Sequence, residues 1–529
     1  MPDSARTQTG KRLFRSSLTV GAMTMISRVA GLVRDVVLAT MFGAAANADA
    51  FYIAFRIPQF LRRLFAEGAF SQAFVPVLSE YRATRSVAEV KVLVDAVSGV
   101  LGAALLSVTA LIVIAAPVVT LVFAPGFLQM PEKMALTTQL IRITFPYLFL
   151  ISMTGFAGAV LNSYARFAVP AFTPVFLNLT LIAGAVLASP YFAEPTFALA
   201  WAVLVAGLVQ LVFQIPFIAR IGMLPRPRLD IRHEGVRRIL KLMLPALFGV
   251  SVSQINLLLD TVLASFLPTG SVSWLYFSER LTELPLGVFG IAIATVILPG
   301  LSREFSTRSA EEFRHTLDWA IRMICMIGLP ASFALLILAR PILSTLFQYG
   351  ALTARDVEMA SLSLSAMALG LPAFMVIKVL ASAYYSRQDM RTPVLIGIKA
   401  MVANMVLNLL FVVPLHLLWQ VGHAGLSLAT TCSAYLNAGL LLSGLMRRDI
   451  YRPERGFLAD IGRIALATAL MAGVLLLAGG WLHGLAELPW PQRVLRLAGV
   501  CGAGMVMYFG ALWLQQPRFL QHARARSGR

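Results

Sequence analysis

Arginines at positions 28, 34, 56, 62, 63 and 280 lie inside long apolar stretches of this chain. A guanidinium stays charged and offers a planar fork of donors that matches a phosphate or a carboxylate. At the centre of a bilayer such a group costs at least ~2.5–3.5 kcal/mol, so it must face water or a partner rather than lipid. Carboxylates accompany the arginines: Asp35, Asp49, Glu67, Glu279 and Glu283, with Ser273 one further polar position. Ser27, Arg28, Gly31, Arg34 and Asp35 share an arc of roughly 120° on a helix, and Arg56, Arg63 and Glu67 fall within roughly 40° on the next. Two readings fit. The arginine excess can dock an anionic ligand such as a phosphate, or Arg28–Asp35, Arg63–Glu67 and Arg280–Glu283 can pair internally. The acids are too few to neutralise all the arginines, which favours a ligand.

A second polar set combines Asp260 with Asn404, Asn408 and Thr431. Oxygen ligands with one carboxylate suit Na+, and the carboxylate alone suits a proton. Interhelical hydrogen bonding fits the same residues. The chain has no nucleophile–histidine–acid set, no P-loop, no dinucleotide turn and no metal-ligand spacing, so it is read as a transporter without a cofactor. Its work would come from a Na+ or H+ gradient, the membrane potential or the substrate's own gradient.

The elements that must position these side chains are membrane helices. Of 529 residues, 58% are hydrophobic and 13% charged, against roughly 45–50% and 25% in soluble domains. Fourteen apolar segments can be drawn, roughly 16–42, 49–80, 93–123, 137–163, 170–190, 196–219, 239–267, 271–302, 316–339, 357–386, 393–415, 424–446, 458–482 and 494–515. With the N-terminus in the cytoplasm, 28 of the 44 Lys and Arg fall in cytoplasmic segments and 5 opposite, Lys133 among the latter. That bias predicts both termini in the cytoplasm. It also accounts for the net charge of +19 without nucleic acid. The start of the chain is a basic tail with no cleavage site, which argues against a removed signal peptide.

The chain is duplicated. ADAFYIAFR followed by FVPVLSEY in the first half is answered by SVSWLYFSER followed by ILPGLSREF in the second, at an offset of about 220–225 residues. Six spans per repeat keep both halves in the same orientation. The expected architecture is an all-α polytopic membrane protein of 14 transmembrane helices: two parallel six-helix repeats plus two C-terminal helices. The expected parts are a tail (1–15), a first lobe (16–222), a basic linker (223–238), a second lobe (239–447), a helix pair (448–516) and a tail (517–529). Two rocking lobes with a site between them suit alternating access.

The stretches SRVAGLVRD (27–35), ADAFYIAFRIPQFLRRLFAEGAFSQAFVP (48–76), GSVSWLYFSERLTELPLGVFG (270–290), FQYGALT (347–353) and YYSRQDMRTPV (384–394) closely resemble the bacterial lipid II flippases of the MurJ/MviN family. The resemblance covers nearly the whole chain. It implies transport of undecaprenyl-diphosphate-linked peptidoglycan precursor across the inner membrane, with the polyprenyl tail in a groove along the last two helices. It places the family's cavity arginines at Arg28, Arg34, Arg62 and Arg280, with Asp49, Glu67, Ser273 and Glu283 at further family positions. Arg56, Arg63, Asp35 and Glu279 are secondary candidates. The implied partners are lipid II, membrane lipids and proteins of cell-wall synthesis or division. A sodium site occurs in some members, but Asn408 stands where a carboxylate can occur. Another lipid-linked oligosaccharide exporter or a drug exporter of the same superfamily is the alternative.

Overall fold

A computed structural model describes residues 3–63, 70–307 and 309–515. Every regular element among these residues is helical. Eleven helical stretches there are long and apolar enough to cross a membrane, which takes about 20 residues. The chain divides into two compact units, Met1–Gly270 and Ser271–Arg529.

The first unit contains α1 (Asp3–Phe42), α2 (Ala46–Arg62), α3 (Ser71–Thr84), α4 (Val87–Ile114), α5 (Ala116–Phe123), α6 (Pro131–Thr144), α7 (Tyr147–Ser163), α8 (Ala168–Phe172), α9 (Pro174–Ala183), α10 (Thr196–Arg220) and α11 (Glu234–Ala264). The second contains α12 (Ser271–Pro285), α13 (Ile291–Ser306), α14 (Ala310–Ile337), α15 (Ala339–Phe347), α16 (Ala354–Ser386), α17 (Arg391–Trp419), α18 (Gly422–Arg447), α19 (Phe457–Leu477) and α20 (Trp490–Gln515).

Several apolar segments break internally where the backbone demands it. The segment 93–123 turns at Ala115, and α5 carries Pro117 in its first turn. The segment 137–163 breaks between α6 and α7 at Phe145–Pro146. Proline donates no N–H and crowds the preceding turn, so it favours a new start over continuation. Polar residues fix other ends: Ser86 and Glu89 form a reciprocal cap on α4, as do Thr353 and Asp356 on α16. Each cap satisfies two otherwise orphaned N–H groups.

Aromatic packing centres the first unit. Phe74 lies 5.1 Å from Phe70 and 5.2 Å from Phe156, ring centre to ring centre, among Leu78, Val94 and Val160. In the second unit α16 packs against α12, α13, α14 and α18. Its Tyr384 hydroxyl, fully buried, donates to the Leu441 carbonyl at 2.9 Å. The division by packing falls after α11, which lies against α3, α4 and α5. The second lobe expected from the sequence begins with that helix.

The linker between α10 and α11 is strapped onto α4. Asp95 accepts the Arg226 N–H at 2.7 Å through its side chain and the Arg228 N–H at 3.1 Å through its carbonyl, and Lys91 pairs with the same carboxylate. Gly99 makes the close approach possible, because a Cβ there would stand 2.2 Å from the Arg228 carbonyl oxygen. Gly99→Val should therefore lower stability by about 1–3 kcal/mol or more, since the obstacle is backbone and cannot yield like a side chain. Thermal unfolding in detergent reads the shift, and an unchanged midpoint would contradict the docking.

Candidate functional site

The arginines separate into two kinds once their surroundings are considered. Arg34 on α1 is 6% exposed and Asp35 1%. Arg34 Nε and Nη2 both donate to Asp35 Oδ1, at 2.9 and 2.6 Å, and Nη1 donates to Asn178 Oδ1 at 3.0 Å. Asn178 on α9 then donates to the Ser27 carbonyl at 3.1 Å. A guanidinium this deeply buried has to be matched by acceptors, here a carboxylate and an amide oxygen, because an unmatched one costs several kcal/mol. The pairing differs from the alternative the helical periodicity offered, Arg28 with Asp35. Asp35 is taken up by its chain neighbour.

That leaves Arg28 in a different position. It is half-buried on α1 and makes no hydrogen bond or ion pair among the described residues. Arg62 and Arg63 are half-buried at the end of α2. Arg56, also half-buried, donates to the Thr261 hydroxyl on α11 at 2.9 Å. Glu67 lies outside the described residues.

Asp49 opens α2 and is 1% exposed; Lys133, at the start of α6, is 5% exposed. The two pair at 2.9 Å, and the same carboxylate oxygen accepts the Gly270 N–H at 2.8 Å. Lys133 also sits 4.1 Å above the Phe127 ring. Sequence reading counted Lys133 as a loop cation opposite the cytoplasm, but its ammonium is buried in a tertiary ion pair. Local composition (Pro131, Glu132, Lys133) looks like an exposed helix start, and the partner lies 84 positions away.

In the second unit, α12 is held on α16. Trp274 Nε1 donates to Asp356 at 2.9 Å and the Ser278 hydroxyl to the Ala360 carbonyl at 2.8 Å. Ser273 is buried and Glu279 half-buried on the same helix. Arg280 meets Glu283 at 3.2 Å, one turn along, with side chains 34% and 47% exposed. An ion pair this open contributes only about 0–1 kcal/mol. The Arg34–Asp35 pair is too deeply set to open at such low cost.

The residues of the oxygen-rich set divide between the units. Asp260 is half-buried on α11 of the first. Asn404 and Asn408 are buried one turn apart on α17, and Thr431 on α18 donates to the Ala366 carbonyl at 2.7 Å. The Thr431 hydroxyl oxygen keeps acceptor capacity after that bond.

Sequence reasoning did not find Asn178, Tyr451 or Asp460, which serve buried arginines. Asp318, four residues before Arg322, was the one local signal for the second of these sites.

A family model described as "Lipid II flippase MurJ" matches residues 38–487. A probable lipid II flippase MurJ of Vibrio cholerae is 50% identical over 515 residues, covering 95% of this chain and 96% of that one. The lipid II flippase MurJ of Burkholderia cenocepacia is 40% identical over 95% of this chain and 97% of its own. A solved lipid II flippase MurJ in an inward closed conformation superposes with a TM-score of 0.77 at 26% identity, covering 94% of this chain and 99% of that one. An inward-facing multidrug resistance MATE transporter of the MOP superfamily shares the fold alone, at a TM-score of 0.62 and 15% identity over 81% of this chain and 97% of that one. The chain belongs to the lipid II flippase MurJ family.

Proposed function

We propose that this protein is a lipid II flippase, moving the undecaprenyl-diphosphate-linked precursor from the cytoplasmic to the periplasmic leaflet of the inner membrane for cell-wall synthesis. Family membership supports the substrate. The observation that carries the chemistry is Arg28, a half-buried cation with no partner among the described residues. In this reading Arg28, Arg62 and Arg280 hold the diphosphate, and Glu283 releases Arg280 when it arrives. Arg34 and Asp49 support the set from buried pairs, with Ser273 and Glu67 as further members and Arg56, Arg63, Asp35 and Glu279 as secondary ones. The polyprenyl chain lies along α19 and α20, whose outer faces expose Leu470, Leu477, Leu495, Val506, Phe509 and Trp513.

The same reading comprises 14 spans in two like-oriented repeats plus a C-terminal pair, both termini in the cytoplasm, and alternating access. A negative headgroup moving outward gains ~2.3 kcal/mol per charge per 100 mV of interior-negative potential. That drives turnover without ATP. Coupling to Na+ or H+ through Asp260, Asn404, Asn408 and Thr431 is a further proposal. Replacing external Na+ with choline at fixed membrane potential should then slow flipping in proteoliposomes; an unchanged rate would exclude Na+.

The deciding experiment depletes the native flippase of a host bacterium and supplies this chain. Growth should be restored, and lipid II should become accessible to an impermeant probe in the periplasm. Lipid II remaining inaccessible while the chain sits in the membrane would reject the function.

A further inference from the structure

Arg322 on α14 and Arg493 on α20 are buried cations to which the transport reading gives no task. Arg322 is 4% exposed. Its Nε donates to Asp318 Oδ2 at 2.7 Å, its Nη1 pairs with Asp460 on α19, and its guanidinium lies 5.5 Å from the Phe457 ring. The carboxylates are fully used. Asp318 Oδ1 accepts the Tyr451 hydroxyl at 2.8 Å and the Glu454 N–H at 3.3 Å, and Asp460 Oδ1 pairs with Arg463 at 3.1 Å. Glu454 reaches the cluster from its edge, 2.8 Å from His315 and 4.0 Å from Arg322 Nη2.

Arg493 does a parallel job at the opposite end of the helix pair. Its Nη1 donates to the Ser344 and Gln348 carbonyls at 3.2 and 3.1 Å, its Nε to Leu488 at 2.8 Å and its Nη2 to Ala486 at 2.5 Å. Ser344 and Gln348 lie at the C-terminal end of α15, where carbonyls run out of helical partners; the Ser344 carbonyl also accepts the Gln348 N–H at 3.3 Å. The Tyr349 ring lies 4.6 Å from the guanidinium.

Between these two points the seam is apolar (Met323, Leu329, Ile464, Met471, Leu475 and Leu512) apart from the Tyr508 hydroxyl, which donates to the Met326 carbonyl at 2.5 Å. Apolar side chains fill such a seam in more than one register, and lipid supplies no hydrophobic drive to choose among them. Buried charges would be costly compared with more leucine, yet they admit one alignment only. We propose that Arg322 and Arg493 are positioning residues: they lock α19 and α20 in register on α14 and α15, and so hold the surface that receives the polyprenyl chain of the substrate. The inference rests on the flippase reading for its substrate, but the lock itself can be tested separately.

The test uses the full chain in proteoliposomes with two lipids that share one headgroup, lipid II with its undecaprenyl chain and an analogue with a farnesyl-length chain. In Arg322→Met and Arg493→Met, KM for the long-chain lipid should rise about tenfold, the equivalent of one lost charge-assisted contact. Its kcat and the short-chain KM should stay within about twofold, and Arg322→Lys should recover part of the loss, because it keeps charge without the fork. Hydrogen exchange along α19 should speed up in both Met variants. Equal losses on the two lipids, or unchanged exchange, would overturn the proposal. If Arg322→Met does not fold, Tyr451→Phe and the charge-balanced pair Arg322→Met with Asp460→Leu carry the same readouts. A wild-type chain that moves neither lipid counts against the flippase reading, and the exchange data then decide the lock alone.

Discussion

Arg28→Ala should abolish growth in cells depleted of their own flippase while the protein still inserts in normal amounts. A charge-assisted contact to a diphosphate contributes roughly 1.5–3 kcal/mol, and its loss weakens binding roughly 10–150-fold. Folding should be spared, because Arg28 makes no ion pair or hydrogen bond among the described residues and its removal strands no carboxylate. Arg28→Lys keeps the charge but loses the fork, so it should retain part of the activity. Membrane-fraction immunoblots alongside growth curves separate this outcome from misfolding. Full growth with Arg28→Ala would remove the residue from the binding set.

Asp35→Leu should fail for the opposite reason. It leaves Arg34 buried with its Asn178 contact but without its carboxylate. Breaking a buried pair from one side costs about 3–5 kcal/mol, a large share of the 5–15 kcal/mol that holds a typical domain together. The variant should be degraded or should melt well below the parent. Adding Arg34→Met should restore much of the loss, because an apolar pair of similar volume avoids the uncompensated charge. Melting temperatures of the two variants measured side by side decide the point: equal instability in the double variant would mean that Arg34 has another structural task.

The contrast between these two arginines shows what the sequence could convey. Both lie on one face of α1, and apolar periodicity alone predicts a buried or watered face for them. Which one is neutralised depends on Asn178, 144 positions away, and on a side chain folding back onto its immediate neighbour. Helical spacing argues against that pairing, because adjacent residues diverge by roughly 100°. That the chain is built of apolar membrane helices was legible from hydropathy. The internal break at Pro146 was not read, because hydropathy runs straight through it. Nor were the surroundings of Arg322, because Asp460, which pairs with it, and Tyr451, which donates to Asp318, come from a different part of the chain and carry no spacing relative to it. The open Arg280–Glu283 pair was readable in advance: both residues lie on one helix, three positions apart.

The burial of Lys133 has a practical consequence. Its ammonium is held by Asp49 and shielded by Phe127, so it is enclosed and out of reach of bulky reagents. Impermeant amine-reactive reagents and lysine-specific proteases should pass over the start of α6 even when they have full access to that side of the membrane. Chemical mapping of this end of the first unit therefore calls for introduced cysteines, since a silent Lys133 reports enclosure and carries no information about which compartment it faces.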